Sequence, residues 1–179
     1  MSKRLALLRA INVSGSGILK MEDLRTLAEG LGFSEVETYL QSGNLVFEAG
    51  DRAGPEVERA LVEALRVQRG VITDAIVRDG AGLGALISGN PLADLAKETP
   101  SKFLVLVLGH PASPAQVEKF AAAAEGEERF AATDAALYAH LPNGIGRSRL
   151  AALLSRASGL RGTGRNWNTL LALKALMGA

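Results

Sequence analysis

The chain of 179 residues contains no cysteine, which excludes disulfides, thiolate catalysis and cysteine-ligated zinc or iron-sulfur centres. Aromatic residues make up only 4% of it, with Trp167 the single tryptophan. A mostly aliphatic core is expected, and few rings are left for a base-stacking surface. The two histidines, His110 and His140, belong to neither a His-Glu-x-x-His helix nor a hydrolase elbow. Each follows an apolar run, so both are expected at the surface, at strand ends. No apolar run is long enough to cross a bilayer, and the opening stretch is broken by Arg9 after four residues. No membrane association and a cytoplasmic location are therefore expected.

What is present is the composition of a folded protein, 47% hydrophobic and 22% charged. The net charge of +1 argues neither for nor against nucleic acid. From Gly144 onward, however, Arg147, Arg149, Arg156, Arg161, Arg165 and Lys174 occur without any Asp or Glu, so the tail is locally basic. The acidic pair Glu22-Asp23 and the group Glu125, Glu127 and Glu128 read as scattered surface acids; no metal site and no cofactor are expected.

Periodicity divides the chain into two similar halves. In the first, a strand is predicted over Arg4–Ile11 and a helix over Met21–Glu29, with Leu24, Leu27 and Leu31 on one face. Two strands on either side of Gln41-Ser42-Gly43-Asn44 follow, forming a hairpin whose polar loop is turned to solvent. A helix starting near Pro55 and a strand over Val71–Val77 complete the order βαββαβ, that of a ferredoxin-like unit. Short helices around Leu83–Ile87 and Leu92–Ala96 fill a linking region, with a turn at Asn90-Pro91. Phe103–Leu108 then reads as a central strand covered on both faces. A helix over Pro114–Ala124, a hairpin of Glu128–Ala132 and Ala136–Leu141, and a helix over Arg149–Leu154 repeat the order. A last strand has to fit within Gly159–Gly164, before a final helix over Asn166–Met177. The prediction is an α+β protein of two ferredoxin-like subdomains with antiparallel sheets, a duplication, divided as residues 1–80, a linking segment 81–100, and 101–179.

Three polar stretches are candidate binding sites. Arg9, Asn12, Ser14 and Ser16 follow the first strand, where backbone N–H groups can face an anion. The spacing of Gly15 and Gly17 fits neither a dinucleotide fingerprint nor a P-loop, and small residues also serve a plain connection. Around the hairpin, Tyr39, Gln41, Ser42 and Asn44 offer amide donors and acceptors, although turn geometry alone also selects such residues. In Thr163-Gly164-Arg165-Asn166-Trp167-Asn168-Thr169, Asn166 or Asn168 can cap the last helix with Arg165 beside it, a seat for phosphate or carboxylate. Trp167 can stack on a base or anchor its helix by packing.

Leu7-Leu8-Arg9-Ala10-Ile11-Asn12-Val13, Met21-x-x-Leu24, Tyr39 to Phe47, Asn90-Pro91 and Arg165 to Thr169 together resemble a bacterial family, domain of unknown function 1697 (DUF1697). The family pattern near the start is Arg-Gly-Ile-Asn-Val-Gly-Gly; here Ala10 and Ser14 stand where it has glycine. The change at position 10 bears on any close backbone approach there. The resemblance implies two ferredoxin-like halves, no established activity, and polar stretches that converge in space.

Three functions remain open. The first is a binding module for a phosphate-bearing small ligand or single-stranded nucleic acid, read by Arg9, Asn12, Gln41, Ser42, Asn44, Arg165, Asn166 and Trp167. It is supported by the basic tail, the cap-and-arginine arrangement near Asn166 and open antiparallel sheet surfaces, with the scarcity of rings against a stacking platform. The second is a structural or interaction role, as a homodimer formed through a strand edge or the final helix. The third is an enzyme on a small anionic substrate, for which no base or activated nucleophile is evident.

Overall fold

The computed structural model describes residues 3–13, 18–156 and 159–178. The chain divides into two compact units, Met1–Gly84 with Leu173–Ala179, and Ala85–Ala172. The first unit runs β1 (Lys3–Leu8), α1 (Met21–Gly30), β2 (Ser34–Tyr39), β3 (Asn44–Glu48), α2 (Gly54–Arg69) and β4 (Ala75–Asp79). Its strands form one antiparallel sheet in the order β2-β3-β1-β4. The chain continues through α3 (Gly80–Ser88), α4 (Ala93–Glu98) and a 3-10 turn at Pro100–Lys102. The second unit then runs β5 (Phe103–Leu108), α5 (Pro114–Ala121), β6 (Arg129–Ala132), β7 (Ala136–His140), α6 (Arg149–Arg156) and β8 (Gly162–Asn166), and α7 (Trp167–Met177) begins in it and ends in the first unit. Its sheet has the order β6-β7-β5-β8, again antiparallel. The duplicated ferredoxin-like α+β architecture is thus present.

Local chemistry sets the elements. In α2, Val57, Leu61, Ala64 and Leu65 are buried at helical spacing, and Pro55 stands in the first turn where its missing N–H costs nothing. Gly70, at φ +64°, ends that helix: its N–H bonds to Arg66 O while the Val71 N–H bonds back to Leu65 O. This double bond pattern takes Val71 into the helix stop. It explains why β4 begins at Ala75 rather than at Val71. Ser113 caps α5 reciprocally, accepting from the Gln116 N–H while Gln116 Oε1 accepts from the Ser113 N–H. The last strand sits at Gly162–Asn166, slightly later than the glycine spacing suggests.

On the helix-covered face of the first sheet, Ala6, Leu8, Leu45, Phe47 and Val77 pack with Leu24, Leu27, Leu61 and Leu65. On that of the second, Leu106, Leu108, Leu137 and Ala139 pack with Phe120, Leu150 and Leu154. The opposite faces are buried too, at Leu5, Leu7, Val46 and Ile76 in the first unit and Phe103, Val105, Val107 and Tyr138 in the second. Both central strands, β1 and β5, are therefore buried on either side.

The outer edges of the first sheet are closed. In β2 the register shifts between Ser34 and Glu37, and Glu35 stands at φ +49°, the disruption of a bulge. In β4 the Val77 N–H donates to Glu58 Oε1 and the Ala75 N–H to Asp74 Oδ1, each at 2.8 Å. Side-chain carboxylates thus occupy backbone donors that an added strand would use. Glu58→Ala is expected to lower unfolding free energy by about 1–2 kcal/mol and to speed hydrogen exchange at the Val77 amide. Glu58→Gln, which keeps an acceptor oxygen, retains most of that protection.

Candidate functional site

Two of the three polar stretches meet at one corner of the first unit, where β1 ends and the β2–β3 turn begins. The Asn12 carboxamide joins three segments: Oδ1 accepts from the Leu19 N–H, and Nδ2 donates to Leu19 O and to Gln41 O, all at 2.8 Å. Its paired bonds to Leu19 copy a backbone bridge. The Leu8 N–H donates to Gly43 O at 2.8 Å, the Arg9 N–H to Asp74 O at 2.9 Å, and the Thr73 hydroxyl to Arg9 O at 2.7 Å. Asn44 Nδ2 donates to Tyr39 O and to Ser42 Oγ at 2.8 and 3.0 Å. Ser14, Gly15, Ser16 and Gly17 lie outside the described residues.

The hairpin loop turns only part of its polar sequence to solvent, where the sequence suggests all of it. Asn44 is fully buried and Gly43 is buried, whereas Leu40 is 54% exposed; only Gln41 among the polar four is exposed. The inversion follows from the bonds just given, since closing β1 onto Gly43 draws Asn44 inward. Gly43 is required on two counts. It stands at φ +75°, and a Cβ there would lie 2.8 Å from Leu8 Cβ.

The backbone of this corner is strained. Ala10, Asn12 and Leu40 adopt φ of +51°, +55° and +57°. Asparagine tolerates this region, but alanine and leucine do so at roughly 1–2 kcal/mol each.

The second unit builds the corresponding corner differently. There the Leu108 N–H donates to Ala135 O and the Gly109 N–H to Arg161 O, at 2.9 and 2.7 Å, the counterparts of the Leu8 and Arg9 bonds one hundred residues earlier. Four residues separate Tyr39 from Asn44, but only Asp134 and Ala135 separate Thr133 from Ala136. Ala136 replaces Asn44 in register, facing Val107 as Asn44 faces Leu7. Among the described residues, every non-glycine with positive φ belongs to the first unit.

The third polar stretch lies in the second unit and serves mainly its interior. Arg165 is 6% exposed, and its Nη1 donates to Thr163 Oγ1 and Gly164 O, both at 2.8 Å; burial pushes its pKa down to about 10. Asn166 caps α7, accepting from the Asn168 N–H at 3.0 Å, and donates to Ser101 O at 3.2 Å. Trp167 is buried, edge-on to Phe103 with centroids 5.5 Å apart. His110 is exposed, but His140 is buried, contrary to the expectation for both. The alternation of β7 puts His140 on the same side as Tyr138, where Nε2 meets Thr99 Oγ1 at 2.9 Å. The Tyr138 hydroxyl donates to Leu86 O at 2.8 Å, and burial raises its pKa. A shallow cavity of about 670 Å³ lined in part by Glu125, Glu128, Arg147 and Ser148 holds none of the expected site residues.

Sequence reasoning missed Leu40 and Thr73. An apolar residue inside a polar turn was the available signal for the first; the second bonds through a partner 64 positions away, which no local pattern reveals.

Fold and corner together define a duplicated ferredoxin-like protein with one strained, polar loop end. The family model for proteins of unknown function, DUF1697, matches residues 1–138, and the chain belongs to that family. A solved structure of the conserved bacterial protein SP0830 from Streptococcus pneumoniae is similar, with a TM-score of 0.77 at 20% identity, covering 100% of this chain and 99% of that one. That likeness is one of fold. No curated protein matches. Within the family pattern, Ala10 holds a glycine position, and it does so at φ +51°.

Opposite signs are expected for two small substitutions at the corner. Ala10→Gly relieves left-handed strain and should raise unfolding free energy by about 0.5–1 kcal/mol. Gly43→Ala adds strain and a clash and should lower it by about 2–4 kcal/mol. Chemical denaturation of both variants checks the pair.

Proposed function

We propose that the protein is a binding module for a small phosphate-bearing ligand, received at the corner of the first unit by Arg9, Gln41 and Ser42. One observation carries this reading: the same fold, repeated in the same chain, closes its second corner with no left-handed alanine or leucine among the described residues. The strain is therefore not a demand of the architecture, and strain beyond that demand is characteristic of functional sites. An arginine supplies charge-assisted bonds to phosphate oxygens, and an exposed amide adds a donor. Asn12 and Asn44 act as positioning residues, since their amides are bonded to the backbone that carries Gln41 and Ser42.

Single-stranded nucleic acid has less support. Phe47, Phe103, Tyr138 and Trp167 are buried, which leaves the half-buried Tyr39 and Phe130, one in each unit, fewer rings than a stacking platform needs. Arg165 is buried as well and contributes little to a basic surface. An enzyme reading is weaker again, because the Ser42 hydroxyl accepts from an amide, which does not activate it as a nucleophile. A dimer through the β4 edge meets the carboxylates of Glu58 and Asp74 on its donors.

Thermal melting with inorganic phosphate, a sugar phosphate, a nucleoside monophosphate and a single-stranded oligonucleotide tests the reading. At least one small phosphate compound should raise the melting temperature, and Arg9→Ala and Gln41→Ala should each weaken that binding about tenfold, roughly 1.4 kcal/mol. A shift confined to the oligonucleotide, or none with any phosphate, would overturn it.

A further inference from the structure

Seven large apolar side chains are markedly exposed among the described residues, and four of them, Val13, Ile18, Leu40 and Ile72, lie in the loops at the end of the first sheet that carries this corner. The clustering follows from topology. β1 and β2 finish there while β3 and β4 begin, so the β1–α1, β2–β3 and α2–β4 connections share one end. Hydrogen bonds tie the three connections together: Asn12, adjoining Val13, bonds to Leu19, adjoining Ile18, and to Gln41, adjoining Leu40; Thr73, adjoining Ile72, bonds to Arg9. With strands about 4.8 Å apart, the apolar groups are spread over roughly 10–14 Å across the end of the sheet.

Leu40 and Ile72 have no folding rationale. Leu40 is 54% exposed in a left-handed conformation that glycine or asparagine adopts more cheaply, so neither burial nor backbone preference selects leucine. Ile72 is 89% exposed. The second unit does not repeat the row: the residues at its corresponding end include His110, Pro111, Asp134 and Gly159, all exposed and none a large aliphatic.

We infer that the ligand of the corner is an amphiphile, a phosphate monoester with an apolar chain, its phosphate toward Arg9 and Gln41 and its chain along Leu40, Val13, Ile18 and Ile72. This rests on the phosphate reading above. Complementarity carries the choice of occupant: the exposed aliphatic residues lie on the loops that also carry Arg9 and, beside Leu19, the exposed Lys20, so one end of the sheet offers both cationic and apolar groups.

The test measures affinity for methyl, butyl, octyl and decyl phosphate, each below its micellar concentration, by calorimetry, with decanol as the control lacking the anion. Affinity should rise about twofold to fourfold per added methylene until the row is spanned. Leu40→Gly should raise the melting temperature while flattening the chain-length dependence, and Ile72→Ser should flatten it without the gain in stability and with methyl phosphate affinity unchanged. Equal affinity for all four phosphates overturns the amphiphile and leaves the phosphate site standing. Failure of every phosphate, or decanol binding as tightly as decyl phosphate, overturns both. A change of molecular mass in solution on Leu40→Gly or Ile72→Ser, with no effect on alkyl phosphates, makes the row an interface between protein molecules and overturns the amphiphile.

Discussion

Burial of β1 and β5 on both faces is the constraint from which the rest follows. A strand with no wet side cannot present side chains to a ligand, so ligand chemistry is displaced to the ends and edges of each sheet. It also favours a partner for each polar group on the inward faces. In the second unit this is how Tyr138, Arg165 and one nitrogen of His140 are used: the first holds Leu86, the second binds the backbone and hydroxyl of its own strand, and the Nε2 of the third meets Thr99, while its buried Nδ1 has no hydrogen-bond partner among the described residues. The segment from Leu86 to Thr99 is thereby fixed against β7 by two polar contacts placed two residues apart.

The element order was readable because it depends on near-neighbour periodicity. Val57, Leu61, Ala64 and Leu65 announce α2, and the unbroken apolar run Phe103–Leu108 announces a strand covered on both sides. Asn166 beside Trp167 announces a cap, which is a local bond. Where the sequence misled, the cause was tertiary. His140 follows an apolar run just as His110 does, but it lies within β7 on the side of Tyr138, where Thr99, 41 residues away, meets its ring, whereas His110 lies beyond the end of β5. The Gln41–Asn44 turn has the composition of a solvated loop, yet closure of β1 onto Gly43 carries Asn44 inside. Composition specifies that a turn forms; it does not specify which way the turn faces.

The candidate site was legible only in part for the same reason. Arg9, Asn12, Gln41, Ser42 and Asn44 do gather at one corner, because β1 and β3 are neighbours in the sheet. Their roles are unequal, however. Asn12 and Asn44 are amides whose donors are already bonded to backbone or hydroxyl, and a residue so engaged shapes a site more than it reads a ligand. The polar residues most conspicuous in the sequence are thus its scaffolding.

Duplication turns this distinction into an argument about cause. Two copies of one fold in one chain share the backbone bonds at their corners, Leu8 to Gly43 and Leu108 to Ala135, so whatever those bonds require must be present in both. Both copies have them; among the described residues, only the first has a turn longer by two residues, a buried asparagine in place of alanine, and left-handed alanine and leucine. Since the second copy closes without these features, they are additions to the architecture and not consequences of it. A cost of roughly 1–2 kcal/mol for each left-handed alanine or leucine is a substantial part of the 5–15 kcal/mol that typically holds a domain together. Glycine or asparagine would adopt these conformations at lower cost, so alanine and leucine at a corner that also exposes aliphatic side chains give up stability that the backbone alone does not require them to lose.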